Sequence, residues 1–198
     1  MGRSCISVDL ASSAGYSGKL YGRIVNIDTQ LGNMDIWIGK SHIMAKIIEG
    51  ERIGKTAPLK VGCAAAIFDE SHKKLLLTRR SDNGQWCLPG GGMEPGESAA
   101  EACEREVLEE TGLHVKADKL IAIYTSPHRI ISYGEKYKFQ FVSLQFGASV
   151  KSGQLGLSDE TTEVGYFSEE EITRLDLMPN HIERMPDIFA EQTVAFIR

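Results

Sequence analysis

Three glutamates, Glu106, Glu109 and Glu110, are spaced three and four residues apart, which sets them along one arc of a helix. The surrounding charge is dense. From Glu97 to Glu110 there are six glutamates and one arginine, −6 + 1 = −5. The whole chain also carries −5, so everything else sums to zero. Like charges at i, i+4 destabilise a helix by roughly 0.2–0.5 kcal/mol per pair, so this arc needs a compensating partner. A hard divalent cation supplies one, because carboxylate oxygens are its preferred ligands. Neither cysteine nor histidine lies on the arc, which argues against zinc and for Mg2+ or Mn2+. The bland alternative is a solvated acidic face.

A helix must carry the arc, and its limits are legible. Pro95-Gly96 ends a loop, and Ser98 with Glu101 three residues on forms a capping box. Alanines and straight-chain residues run to Thr111, and Gly112 fits a C-terminal stop. Ala100, Cys103 and Val107 share the apolar face. Directly before the helix lies Leu88-Pro89-Gly90-Gly91-Gly92, whose glycines let backbone amides approach a phosphate closely.

Gly91, Glu97, Arg105, Glu106, Val107, Glu109, Glu110, Gly112 and Leu113 together resemble the Nudix box, and they fill its every fixed position. The resemblance implies an α/β fold, a Nudix-type α/β/α sandwich with a mixed sheet. It implies a metal-dependent hydrolase that cleaves the diphosphate linkage of a nucleoside diphosphate derivative by water attack at phosphorus. The metal ligands would be Glu106, Glu109 and Glu110, with the Gly90 carbonyl beside them. Glu97 and Arg105 would hold each other and fix loop to helix. Ala99 and Ala102 would leave room for substrate near the arc. Many family members use a further acid from a later loop, as ligand or general base. Glu160 is the first candidate and Glu163 the second, so the catalytic set is Glu106, Glu109 and Glu160. Incomplete signatures elsewhere lean the substrate towards ADP-ribose or another small nucleotide. The alternative is a nucleotide-binding regulator with the same fold and little turnover; the intact box weighs against it.

Substrate recognition needs cations and aromatic faces outside the box. The candidates are Arg79, Trp86, Arg129 and Tyr133, with His128 and Lys136 in the same polar loop as Arg129. Tyr166 is a further aromatic candidate, while Phe139 at strand spacing reads as core.

The remaining elements follow from alternation and turn residues. Val61–Phe68, Leu75–Thr78, Leu120–Thr125, Lys138–Phe146 and Val164–Phe167 read as strands. Arg79 to Gly92 and Ser126 to Lys136 read as loops. Ser168 with Glu171 opens a second helix towards Leu175, and Pro186 suits a third helix start. Leu20–Ile27 and Met34–Ile38 look like two strands of a hairpin, and Ile43/Ile47 with Met44/Ile48 permit a short helix. We therefore divide the chain into a small β-rich extension, 1–58, and a catalytic domain, 59–198. An isolated hairpin is marginal in water, so the extension is expected to pack on the main domain or across a homodimer.

Composition excludes several classes. With 42% apolar and 25% charged residues the chain reads as a soluble globular protein. Mild acidity without a basic block argues against nucleic acid or an anionic membrane as partner. No apolar run spans a bilayer, the N-terminus lacks a signal-peptide core, and the sixth residue, Ile6, does not suit myristoylation. The four cysteines show no close pairing, which fits a reduced, cytoplasmic setting.

Overall fold

The computed structural model describes the backbone of residues 25–27 and 34–36, and residues 46–132, 137–190 and 192–198. The chain divides into two compact units, Met1–Ser41 and His42–Arg198. In the first, β1 (Val25–Ile27) and β2 (Met34–Ile36) pair antiparallel, with Val25 opposite Ile36. These are the two strands expected there; their outer residues and the turn between them lie outside the described residues.

The second unit is built on β4 (Leu59–Ala66), whose alternate residues feed two cores. Cys63, Ala65 and Ile67 meet Ala102, Cys103 and Val107 of α1 (Ala99–Thr111) on one face. Ala64 and Ala66 meet Leu75, Leu77, Trp86, Leu88, Met185 and Ile188 on the other. The sheet order is β12 (Phe196–Ile197), β8 (Leu113–Thr125), β10 (Lys138–Gly153), β4, β7 (Gly90–Gly92). β4 runs parallel to β10 and β12 parallel to β8, while β8–β10 and β4–β7 are antiparallel. A second sheet joins β11 (Thr161–Ser168), β5 (Lys74–Arg80) and β6 (Trp86–Cys87). Three short helices follow: α2 (Glu169–Ile172), α3 (Pro179–Ile182) and α4 (Met185–Phe189), the last opened by Pro186 as expected. Helix α1 on one face of a mixed sheet and α4 on the other make the expected α/β sandwich. Among the described residues no helix is long and apolar enough to cross a membrane.

Helix α1 ends where its residues dictate. Ser98 Oγ accepts the Glu101 N–H at 3.3 Å, and the Glu101 carboxylate accepts the Ser98 N–H at 2.8 Å. Gly112 stops the helix in the left-handed region, φ 73°, with its N–H on the Leu108 carbonyl. A Cβ there would stand 2.7 Å from the Gln154 carbonyl oxygen. Gly112→Ala should therefore cost about 1–3 kcal/mol of stability in denaturant titration, through the dihedral and the clash together. A loss below about 0.5 kcal/mol would mean the 154–156 loop yields freely.

Several expectations need correction. The helix at Ile43–Ile48 is instead β3 (Lys46–Glu49), insofar as residues 46–49 are described, paired antiparallel with β9 (Arg129–Ser132). Branched Ile47 and Ile48 suit that pleat better than a helix turn. The N–H groups of Gly50 and Gly54 add bonds to the His128 and Pro127 carbonyls, at 3.0 and 2.9 Å. Residues 46–58 thus sit in the compact unit that begins at His42, although the division drawn above places them in the extension. The two expected loops also hold strands: β6 and β7 in one, β9 in the other. Strands β8 and β10 are longer than their alternation suggests, because register shifts at Gln145/Phe146, Gly147/Ala148 and Val150/Ser152 break the two-residue period.

Candidate active site

Strand β7 brings the glycines against the acidic helix. The Gly90 N–H donates to Glu110 Oε2 at 3.0 Å. A Cβ on Gly91 would lie 2.5 Å from both Glu106 carboxylate oxygens, so a bare glycine lets the strand press against the acid. Glu106 is 1% exposed and Glu110 7%. Burial pushes the Glu110 carboxyl up to about 8, helped by the charges of Glu106 and Glu160 and opposed by the Gly90 N–H and Arg80.

Arg105 neutralises much of this cluster. Its Nε and Nη2 reach Glu97 at 2.5 and 3.0 Å, its Nη1 reaches Glu106 at 2.9 Å, and its Nη2 also donates to the Gly92 carbonyl at 3.0 Å. The expected Glu97–Arg105 link is thus present, and it ties the pre-helix loop to the helix. Glu109 is the outlying member of the arc. Its side chain is 50% exposed and lies 3.3 Å from Arg105 Nη1. Among the described residues no three His, Cys, Asp or Glu side chains converge as a ready-made metal cage. The donor set nevertheless fits a hard divalent ion: oxygen ligands only, two of them on buried carboxyls, one of which, Glu110, burial pushes up to about 8.

Glu160 stands in a turn anchored to the end of β5. The Ser81 N–H donates to the Glu160 carbonyl at 2.9 Å, and Thr161 Oγ1 donates to the Glu110 carbonyl at 3.2 Å. This places Glu160 close enough to raise the Glu110 carboxyl. Glu163, by contrast, lies opposite Arg79 in the β11–β5 register and pairs with its guanidinium. Arg79 also donates through Nε to the Gly84 carbonyl at 2.8 Å, so it serves the loop rather than an open cleft.

The other recognition candidates separate. Trp86 is a core residue, 8% exposed and edge-on to Phe167 at 4.8 Å, because β6 is covered by the segment before α3. Tyr166, half-buried, packs on the α1 side of the sheet. Phe139 is half-buried at the sheet end, edge-on to Phe141 at 6.3 Å. His128 accepts the Arg52 N–H through Nδ1 at 3.0 Å. Tyr133 and Lys136 lie outside the described residues. Ala99 and Ala102 belong to the core cluster that holds Cys63 and Ala65.

Arg129 does reach a cavity. About 290 Å³ of space is lined by Tyr124, Phe141, Asn180, Arg129, Arg184 and Arg198, among others. Arg129 is already engaged there, by Glu49 at 2.9 Å and Glu183 at 2.8 Å. Arg198 is held by Asp187 at 2.7 Å. Arg184 is different. It is 6% exposed, its guanidinium lies 5.1 Å from the Tyr124 ring centre, and its Nε has no hydrogen-bond partner among the described residues. Burial lowers it to about 10, so it stays charged at neutral pH. Asn180 Oδ1 is likewise buried and unpartnered. Sequence reasoning overlooks both residues. Their signal is two polar side chains four apart just after Pro179.

The NUDIX domain family model matches residues 58–188. A putative 8-oxo-dGTP diphosphatase of Bacillus subtilis is 38% identical over 104 residues, 52% of this chain and 62% of that protein. An ADP-ribose pyrophosphatase of Methanocaldococcus jannaschii is 35% identical over 109 residues, 54% of this chain and 61% of that one. The chain thus spans under two thirds of the length of each. A solved NUDIX hydrolase of Nitrosomonas europaea superposes with a TM-score of 0.58 at 27% identity, over 72% of this chain and 79% of that one.

Proposed function

Since this chain belongs to the Nudix family, hydrolases acting on acid anhydrides, we propose that it cleaves the diphosphate linkage of a nucleoside diphosphate derivative by water attack at phosphorus. The observation that carries this reading is the buried pair Glu106 and Glu110 pressed against a glycine strand, with Glu160 beside it. A fold gains nothing in stability from crowding such carboxylates, and pKa values perturbed this way concentrate at functional sites.

In this reading Glu106 and Glu110 are the inner metal ligands, with Glu109 and the Gly90 carbonyl completing the protein's share. Mg2+ or Mn2+, when bound, polarises the phosphoryl oxygens and lowers the pKa of a water. Arg105 and Glu97 hold the helix and loop in register. Glu160, exposed beside the pair, is the proposed proton acceptor for the attacking water. The cavity takes the nucleoside portion: Tyr124 and Phe141 offer ring faces, and the polar side chains of Arg184 and Asn180 line the same space. Two strand spacings, about 10 Å, separate β10, which carries Phe141, from β7 at the acids. Arg129, held by Glu49 and Glu183, shapes the cavity rim.

The names of the relatives point to ADP-ribose or an oxidised nucleoside triphosphate as the substrates to compare first. The test is a panel holding both, together with ordinary nucleoside triphosphates, assayed with Mg2+ or Mn2+ in 18O-labelled water. We expect one class to turn over, with label in a phosphate product. No product from any member of the panel would overturn the proposal.

A further inference from the structure

We propose that His181 is a positioning residue for the acidic site: it holds the Leu88–Gly90 segment so that Gly90 meets Glu110. This rests on the catalytic reading above. The segment Asp176–Met178 runs beside Trp86 as a short parallel ladder. The Trp86 N–H donates to the Asp176 carbonyl at 2.8 Å, and the Met178 N–H donates to the Trp86 carbonyl at 2.9 Å. The next donor on that side is the Leu88 N–H. Pro179 opens α3 there, so the backbone turns away and offers no carbonyl. His181 Nδ1 takes its place and accepts the Leu88 N–H at 3.0 Å.

Both groups are buried, His181 at 8% exposure and Leu88 at 1%. Accepting through Nδ1 makes the ring neutral, with its proton on Nε2. Burial, with Arg184 and Arg80 nearby, keeps it neutral well below the ordinary histidine range. Beyond Leu88 the path to the acids is short. The Pro89 carbonyl accepts the Ala65 N–H at 2.9 Å, and the Gly90 N–H donates to Glu110 at 3.0 Å. The other end of the link lies at the cavity, because Asn180, Glu183 and Arg184 flank His181 and line it. One side chain therefore ties the wall of the cavity to the strand that sets the acids.

The experiment compares His181→Leu, which keeps bulk but cannot accept, with His181→Asn, whose Oδ1 stands near the Nδ1 position. Partners that orient metal ligands are typically worth ~10- to 100-fold in metal affinity or activity. We expect His181→Leu to lose at least ~10-fold in kcat and in Mn2+ affinity by calorimetry, with KM within about threefold, and His181→Asn to restore both. If His181→Leu does not fold, His181→Asn is set against His181→Gln, whose acceptor sits one bond further out; Asn should exceed Gln at least ~5-fold in kcat and in Mn2+ affinity. A fall in melting temperature alone, with kcat and Mn2+ affinity unchanged in the folded variants, would overturn the proposal. Mn2+ affinity needs no substrate, so it decides on His181 even if no panel compound is hydrolysed.

Discussion

Glu110→Gln is expected to lose at least ~10²-fold in turnover while gaining stability in metal-free protein. Both effects come from one fact: the Glu110 carboxyl is 7% exposed and is pushed up to about 8 by burial, with Glu106 and Glu160 adding to the rise. A carboxyl raised in the folded state stabilises it fully below the ordinary value of 4.5, and that contribution is lost as pH rises through about 8. Relative to the glutamine variant, the metal-free parent should therefore lose stability across that window, on the order of 3 kcal/mol by pH 7 at ~1.4 kcal/mol per pKa unit. The glutamine variant keeps an acceptor for the Gly90 N–H and has no proton to lose, so the Glu110 part of the pH slope should be absent from it. A divalent ion must displace the Glu110 proton, so its affinity in the parent should rise with pH up to about 8, with proton release on binding. Melts across pH, and calorimetry in buffers of different ionisation enthalpy, measure both. Parent and variant with the same pH slope and the same metal affinity would remove Glu110 from the site.

Arg105→Ala should be the most destabilising single change in the acidic helix. It removes the guanidinium paired with Glu106, which is 1% exposed, and cuts the Arg105 link from Glu97 to the helix. Removing one partner of a buried pair costs about 3–5 kcal/mol; the Arg105 side chain is 23% exposed, so the lower end applies. Lysine should recover little, because one ammonium cannot span Glu97, Glu106 and the Gly92 carbonyl as the planar fork does. A divalent ion should raise the melting temperature more in Arg105→Ala than in the parent, since it supplies the missing positive charge. A loss under about 1 kcal/mol, or equal metal-induced shifts, would show that the guanidinium is not what makes the burial of Glu106 tolerable.

What the sequence by itself determined lies within one local stretch. The caps at Ser98 and Gly112, the acidic arc and the Glu97–Arg105 pair all follow from spacings of three to eight residues, which helix geometry converts directly into contacts. Tertiary structure decided which of the three arc glutamates are buried, because helical period names a face and not what packs on it. Strand β7 covers Glu106 and Glu110, and Glu109 stays half-exposed. It also decided the fate of the recognition candidates. Trp86 went to the core because a distant segment, at Leu177, lies beside it. Arg79 and Arg129 met carboxylates 84, 80 and 54 residues away, through sheet register and helix docking that no local pattern encodes. Arg184 and Asn180 became a cavity wall in the same way. What marks them is a buried Arg184 Nε and a buried Asn180 Oδ1 with no hydrogen-bond partner among the described residues, and burial is a property of the assembled layers rather than of the residues in order.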